Sequence, residues 1–202
     1  MTERRLVALT FDDGPSARYT PAILRRLRAA GARATFFMVG ESVLREPGIV
    51  RAAVRAGHEI GNHTFGHSRL PDLSSAAVAW ELRAGARALE RAGAPTPRYA
   101  RPPWGDFDDR VGAIAAAQGS PLIGWDVVLD KALHGGDVVA RVGALVARVR
   151  PGSIILAHDG RGTRESTLAA PPLLARLRER GFQLVTVSEL LRTVEHGLAG
   201  AK

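Results

Sequence analysis

The chain has no cysteine, which excludes disulfides, thiolate metal ligands and a thiol nucleophile, and leaves the cellular compartment open. It has no apolar run approaching the roughly 18 residues of a membrane span. The run Leu6–Phe11 is too short for the apolar core of a signal peptide, and a polar motif follows it with no cleavable spacer. The expectation is therefore a cytoplasmic protein, or a secreted or cell-wall protein whose leader has been trimmed. Lysine is almost missing too: only Lys131 and Lys202, so 26 of the 28 basic residues are arginine and the formal net charge is +8. Such a surface attracts nucleic acid, an anionic wall or acidic lipid. No nucleic-acid-reading motif accompanies the charge, and the arginines are spread along many helices, as on a solvated Ala- and Arg-rich surface.

What is present reads as one domain over residues 1–202, with a hydrophobic fraction of 46% that suffices for a sizeable core. Apolar, β-branched runs alternate with helical stretches, the pattern of β/α units on a parallel sheet. Strands are expected at Arg5–Phe11, Ala34–Val39, His58–Gly61, Arg98–Arg101, Pro121–Asp126, Ser153–His158 and Phe182–Val187. Helices are expected from Pro21 to Gly31, Gly48–Ala56, Ser74–Ala92, Asp109–Ala117, Asp137 (as N-cap) to Val149, and Pro172–Arg180, with Ser188 capping a last one. Asp12–Asp13, His63, Arg101, Asp126 and His158 each end a different strand. Five separated polar groups converging on one mouth suit a β/α barrel of about seven parallel strands, distorted or incomplete, better than an open sheet.

Four polar clusters carry chemistry. In Thr10-Phe11-Asp12-Asp13-Gly14-Pro15 two carboxylates end a strand; pointing in opposite directions, one can bind a metal while the other acts as a base. His63-Thr64-Phe65-Gly66-His67 places two imidazoles at i and i+4, on one face if the segment is a helical turn, with Asn62 placed to hold one of them. Two histidines and a carboxylate make a three-ligand set that leaves positions open, as in catalytic zinc sites. In Arg101-Pro102-Pro103-Trp104-Gly105 the prolines stiffen the chain and fix the amides of Trp104 and Gly105, which suits an oxyanion hole. Leu156-Ala157-His158-Asp159 ends a strand with a proton donor beside an apolar residue. His58, His134 and His196 have no such context and read as structural. Taken singly, each cluster also has an ordinary reading as a capped turn, a rigid loop or a core histidine.

Together and in this order, the four motifs resemble the polysaccharide deacetylase family, also known as the NodB-homology domain or carbohydrate esterase family four. The resemblance spans nearly the whole chain. It implies that Asp13, His63 and His67 bind a divalent metal, zinc by default with cobalt as an option. It implies further that Asp12 is the general base, Arg101 keeps Asp12 ionised, His158 is the general acid and Leu156 lines the acetyl pocket. The implied activity is hydrolytic N-deacetylation of an amino sugar in a glycan, a chitin oligomer or peptidoglycan N-acetylglucosamine, by a monomer with no nucleic-acid partner. O-deacetylation of acetylxylan, amidase action on a small N-acyl compound, and an inactive carbohydrate-binding module are the alternatives. Two departures stand out: Asp126-Val127-Val128-Leu129-Asp130-Lys131 lacks the tryptophan that usually follows the second aspartate, and Ser68 replaces a common proline. Asp126 or Asp130 is expected to orient Arg101 or the catalytic histidine.

Overall fold

The computed structural model of the chain describes residues 5–129, 138–160 and 164–199. Six strands, β1 (Leu6–Asp12), β2 (Thr35–Met38), β3 (Glu59–Asn62), β4 (Val127–Val128), β5 (Ile154–His158) and β6 (Gln183–Val185), pair in parallel. Between and after them run α1 (Thr20–Ala29), α2 (Gly40–Arg45), α3 (Pro47–Arg55), α4 (Ser75–Arg91), α5 (Asp109–Ala117), α6 (Val138–Arg148), α7 (Arg164–Glu179) and α8 (Val187–Ala199). Among the described residues no helix is long and apolar enough to cross a membrane.

The sheet order is β3-β2-β1-β5-β4, with β6 also on β1. The carbonyls of Arg5 and Leu6 accept from Gln183 and Gly152 respectively, so β6 and β5 occupy opposite edges of β1. On β6's edge the partner changes along the strand: β6 pairs with Leu6–Ala8 and β2 with Thr10–Asp12. The ring closes through single residues, because Ala100 bridges Asn62 on one side and Leu122 on the other, and β4 follows Leu122 in the chain to pair with β5. Those bridges stand where two further strands are expected. Pro102, Pro103 and Pro121 border them, and a residue without an N–H cannot extend a ladder. The result is a distorted β/α barrel.

All seven residues of β1 are buried, as in a strand covered on both faces. Val7, Leu9 and Phe11 join the layer under the helices with Ile23, Leu27, Phe36 and Met38. A fully buried side chain of this size contributes about 1.5–3 kcal/mol. The alternate residues Ala8, Thr10 and Asp12 face the barrel interior, where Thr10 and Asp12 meet Arg101. This period-2 alternation sends a catalytic candidate inward from an otherwise apolar strand.

Three helices differ from expectation. The short α2 was not foreseen; it is separated from α3 by Pro47 at the start of α3. The helix α7 begins well before Pro172 and carries Pro171 and Pro172 inside it. Its buried stripe Ala169, Ala170, Leu173, Leu174 and Leu177 runs through the prolines, so packing holds the helix across the interruption. The cap of α8 is Thr186, whose hydroxyl accepts from the Glu189 amide while the Glu189 carboxylate accepts from the Thr186 amide, a capping box. Ser188 instead ties its amide and hydroxyl to Glu59 beneath the barrel. Asp137, expected to cap α6, lies outside the described residues, as does His134.

Candidate active site

At the C-terminal mouth of the barrel, ligand atoms of Asp13, His63 and His67 lie within 4.8 Å of one another. Asp13 Oδ1 is 3.3 Å from His63 Nε2 and 3.1 Å from His67 Nε2. Two donors each about 2.0–2.1 Å from one tetrahedral ion stand about 3.3–3.4 Å apart, so these separations suit a shared cation. His63 adds a second argument. Its Nδ1 lies 2.7 Å from the Arg101 carbonyl, which can only accept, so Nδ1 carries the proton and Nε2 presents a lone pair. That Nε2 is buried without a hydrogen-bond partner and faces a carboxylate. Two lone-pair donors aimed at each other call for a cation between them. Without an ion, protons on both rings would take that place: burial raises the Asp13 carboxyl, but hydrogen bonds and positive charge from His63 and His67 then outweigh it and hold it well below the usual range.

The local backbone departs from expectation in two places. Asp13 has φ of 72°, which turns the chain so that its carboxylate swings to the same side as that of Asp12. Both approach His63 Nε2, Asp12 Oδ2 at 3.9 Å and Asp13 Oδ1 at 3.3 Å, whereas an extended pair would point apart. The His63–His67 segment is a loop and not a helical turn; Thr64 and His67 have φ of 65° and 60°. Asn62 does not touch an imidazole: its Oδ1 accepts from the Thr64 amide and its Nδ2 donates to the Leu82 carbonyl.

What shapes this loop is Glu81, buried on the inner stripe of α4. Its Oε2 accepts from the amides of Phe65 and Gly66 at 2.9 and 2.8 Å, and its Oε1 from the Ser68 hydroxyl at 3.3 Å. The helix can come this close because Gly85 lies against Thr64; a Cβ there would be 2.9 Å from the Thr64 carbonyl. Sequence reading missed Glu81. The available signal was a lone acid at a helical spacing shared with Val78, Leu82 and Gly85.

Arg101 is completely buried. One guanidinium nitrogen donates to Asp12 Oδ1 at 2.9 Å and Thr10 Oγ1 at 2.7 Å, and the others reach the carbonyls of Ile123 and Gly124. The guanidinium stacks 4.1 Å from the Phe37 ring centre. Asp12 is thereby anchored by one oxygen while the other faces the Asp13–His63 pair. The β1–β5 register sets Asp12 beside His158 and Thr10 beside Leu156 on the same inward face.

The remaining candidates divide. Trp104 has φ of 58°, is 64% exposed, and packs its ring edge-on to His67 with centroids 4.6 Å apart. The Gly105 amide is engaged by the Pro102 carbonyl, so it is not available as an oxyanion donor. Asp126 sits at the other end of β5, where it accepts from Ser153 Oγ and the Ile154 amide and does not orient Arg101. The strand expected to end at Asp126 begins only after it, as β4, and the Asp126 carboxylate pins the start of β5 instead. Asp130 lies outside the described residues. A group without an expected role is Asp159, fully buried, which takes the Thr20 hydroxyl at 2.5 Å and donates its amide to the Asp12 carbonyl. Its carboxylate occupies the space where a Cβ on Gly14 would fall. Thr20 and Asp159 thus brace the Asp12–Gly14 turn from behind.

A family model described as polysaccharide deacetylase matches residues 1–123. A peptidoglycan-N-acetylglucosamine deacetylase of Bacillus cereus is 37% identical over 190 residues, covering 93% of this chain and 89% of that protein. A chitooligosaccharide deacetylase of a Bradyrhizobium strain is 35% identical over 201 residues, covering 92% and 90%. Among solved structures, one described as T48 deacetylase with substrate superimposes with a TM-score of 0.85 at 35% identity, covering 94% of this chain and 92% of that one.

Proposed function

Because the chain belongs to the polysaccharide deacetylase family, we propose that it is a hydrolase removing the acetyl group from N-acetylglucosamine within a glycan, a peptidoglycan strand or a chitin oligomer. Residues 1–202 act as one catalytic domain in this reading. The observation that carries it is the triad Asp13, His63 and His67 converging beside an Arg101-anchored Asp12.

The family is metal-dependent, and the three side chains fit a divalent ion. We assign zinc, since two imidazole nitrogens and one carboxylate form the ligand set of hydrolytic zinc sites. When bound, such an ion supplies Lewis acidity, which polarises an acetyl carbonyl and makes water a better nucleophile at neutral pH. Asp12, with one oxygen fixed by Arg101, takes the proton of the attacking water as the new C–O bond forms. His158, adjoining Asp12 on the inward face, gives its proton to the sugar nitrogen as the C–N bond breaks, releasing acetate and a free amine. Leu156, nearly buried on that face, walls the acetyl methyl, and the Trp104 amide is the donor for the developing oxyanion.

Acetate release from N-acetylglucosamine oligomers and from wall strands tests this directly. Turnover should vanish on chelation, return with zinc, and be lost in His63→Ala. Full turnover after thorough chelation, or none from either glycan at any metal loading, would overturn the reading.

A further inference from the structure

A recess adjoins the site at Asp13. It has a volume of about 480 Å³, within the range of ligand sites, and its walls include Asp13, Arg18, Tyr19, Ser42, Arg45 and Glu46. Two segments supply most of it, and Gly160 completes the wall. The turn after Gly14 carries Arg18 and Tyr19, and the short α2 carries Ser42 and Arg45. They are drawn together by the Val39 amide, which donates to the Gly14 carbonyl and starts α2 beside the aspartate turn.

Both arginines keep donors available. The Arg18 guanidinium lies 5.4 Å over the Tyr19 ring, and no carboxylate within 4.0 Å pairs with it among the described residues. The Arg45 head is steadied by Ser42 Oγ at 3.0 Å, and its pair with Glu41 is 3.9 Å long and exposed, so it competes weakly with a ligand. Planar guanidinium forks grip a carboxylate through paired hydrogen bonds. Glu46 and the Tyr19 ring suit the rest of a sugar, a carboxylate accepting from hydroxyls and an aromatic face packing on C–H groups.

We propose that this recess holds a carboxylate-bearing unit next to the sugar that loses its acetyl group, with Arg18 and Arg45 as the specificity-determining residues. The inference rests on the deacetylase reading, because Asp13 is shared by the recess and the triad. It separates the two glycans named above. A chitin oligomer is neutral beside every acetyl group, whereas a wall strand carries a carboxylate there, from the lactyl ether when the peptides are gone or from the peptide when they remain.

The test compares the zinc-loaded full chain with the double variant Arg18→Gln, Arg45→Gln on four substrates of equal length. These are a peptide-free wall tetrasaccharide, its carboxyl-reduced form, a peptide-bearing form and a chitin tetramer. The wild type should favour a carboxylated strand over the reduced one by about tenfold in kcat/KM, through KM, and the double variant should lose most of that ratio. Preference for the peptide-free form assigns the lactyl carboxylate, and preference for the peptide-bearing form assigns the peptide's. A wild-type ratio near one, or a ratio the substitutions leave intact, overturns the proposal. If no substrate yields acetate, the deacetylase reading is what fails. Calorimetric binding of the carboxylated and reduced tetrasaccharides then decides the recess: arginine-dependent preference supports it and equal binding refutes it.

Discussion

Replacing Glu81 tests how the histidine loop is held, and the outcome should depend on the replacement. Both loop amides converge on one oxygen, Oε2, at 2.9 and 2.8 Å. Glutamine can offer one carbonyl oxygen in that place, and its amide can turn toward Ser68, whose hydroxyl can accept as well as donate. Glu81→Gln therefore keeps both bonds in neutral form, roughly half as strong as the charged ones. Glu81→Ala removes the acceptor altogether. The Phe65 amide then loses its partner in a half-buried place, while Gly66 is exposed and water can replace the bond. The stability loss should be about 1–3 kcal/mol for alanine and less for glutamine. The larger effect falls on the metal. With the loop between the two imidazoles no longer pinned, zinc affinity should fall about 10–100-fold in Glu81→Ala, the usual cost of losing support behind a ligand, and stay within a few-fold in Glu81→Gln. Competition with a chromophoric chelator measures affinity, and urea unfolding measures stability. An alanine variant that binds zinc like the wild type, or a glutamine variant as impaired as alanine, would refute the reasoning.

Two pH effects with opposite signs are expected in the metal-free protein. Burial, with the negative charges of Asp13 and Asp12 and against the Thr20 hydrogen bond, pushes the Asp159 carboxyl from its ordinary 3.8 up to about 7. Between those values the folded chain holds a proton that the unfolded chain has released. Stability attributable to Asp159 therefore falls as pH rises through this window, by at most about 1.4 kcal/mol per pH unit. Urea unfolding of wild type and Asp159→Asn across the window should show the wild type losing ground to the variant; parallel curves would contradict it. At the closed end of the barrel, burial and the charge of Arg33 take His58 from 6.5 down to about 4. Its stability contribution is present above the unfolded value and is lost as pH falls from 6.5 toward 4. Ring carbon and nitrogen shifts should report a neutral imidazole at about pH 5.5, protonated on Nε2 because Nδ1 accepts from the Ala34 amide. A midpoint near 6.5 would count against the burial argument.

The parts of the site legible in the sequence were those whose chemistry sits within a few consecutive residues. Asp12–Asp13, His63 and Arg101 were readable because each ends an apolar run, and the ends of parallel strands converge, while His67 was readable from its spacing of four from His63. The helix boundaries of α4 and α5 were readable for a similar local reason: Ser74 and Asp108 cap them through their own side chains. What was not legible depends on groups far apart in the chain. Glu81 matters only because α4 brings it under a loop 15 or 16 residues away. Asp159 matters only because Thr20, 139 residues earlier, turns toward it. Asp126 misled because a strand was expected to end at it, whereas β4 begins one residue later, which leaves its carboxylate beside the start of β5. The prolines around Ala100 and Leu122 were visible, yet their effect on strand length required knowing that the barrel closes there.

Among the described residues, the four non-glycine residues with left-handed backbones, Asp13, Thr64, His67 and Trp104, all lie at the barrel mouth. Aspartate and histidine tolerate this region better than most residues, but a β-branched threonine and a bulky tryptophan do not. Each such residue costs on the order of 1–3 kcal/mol, which the buried strands beneath must offset. The mouth is thus less stable than it need be, and selection for ruggedness alone would pull it away from its present residues. A descendant relieved of its chemistry would be expected to drift first at Thr64, toward glycine, and to become a sturdier barrel as it did so.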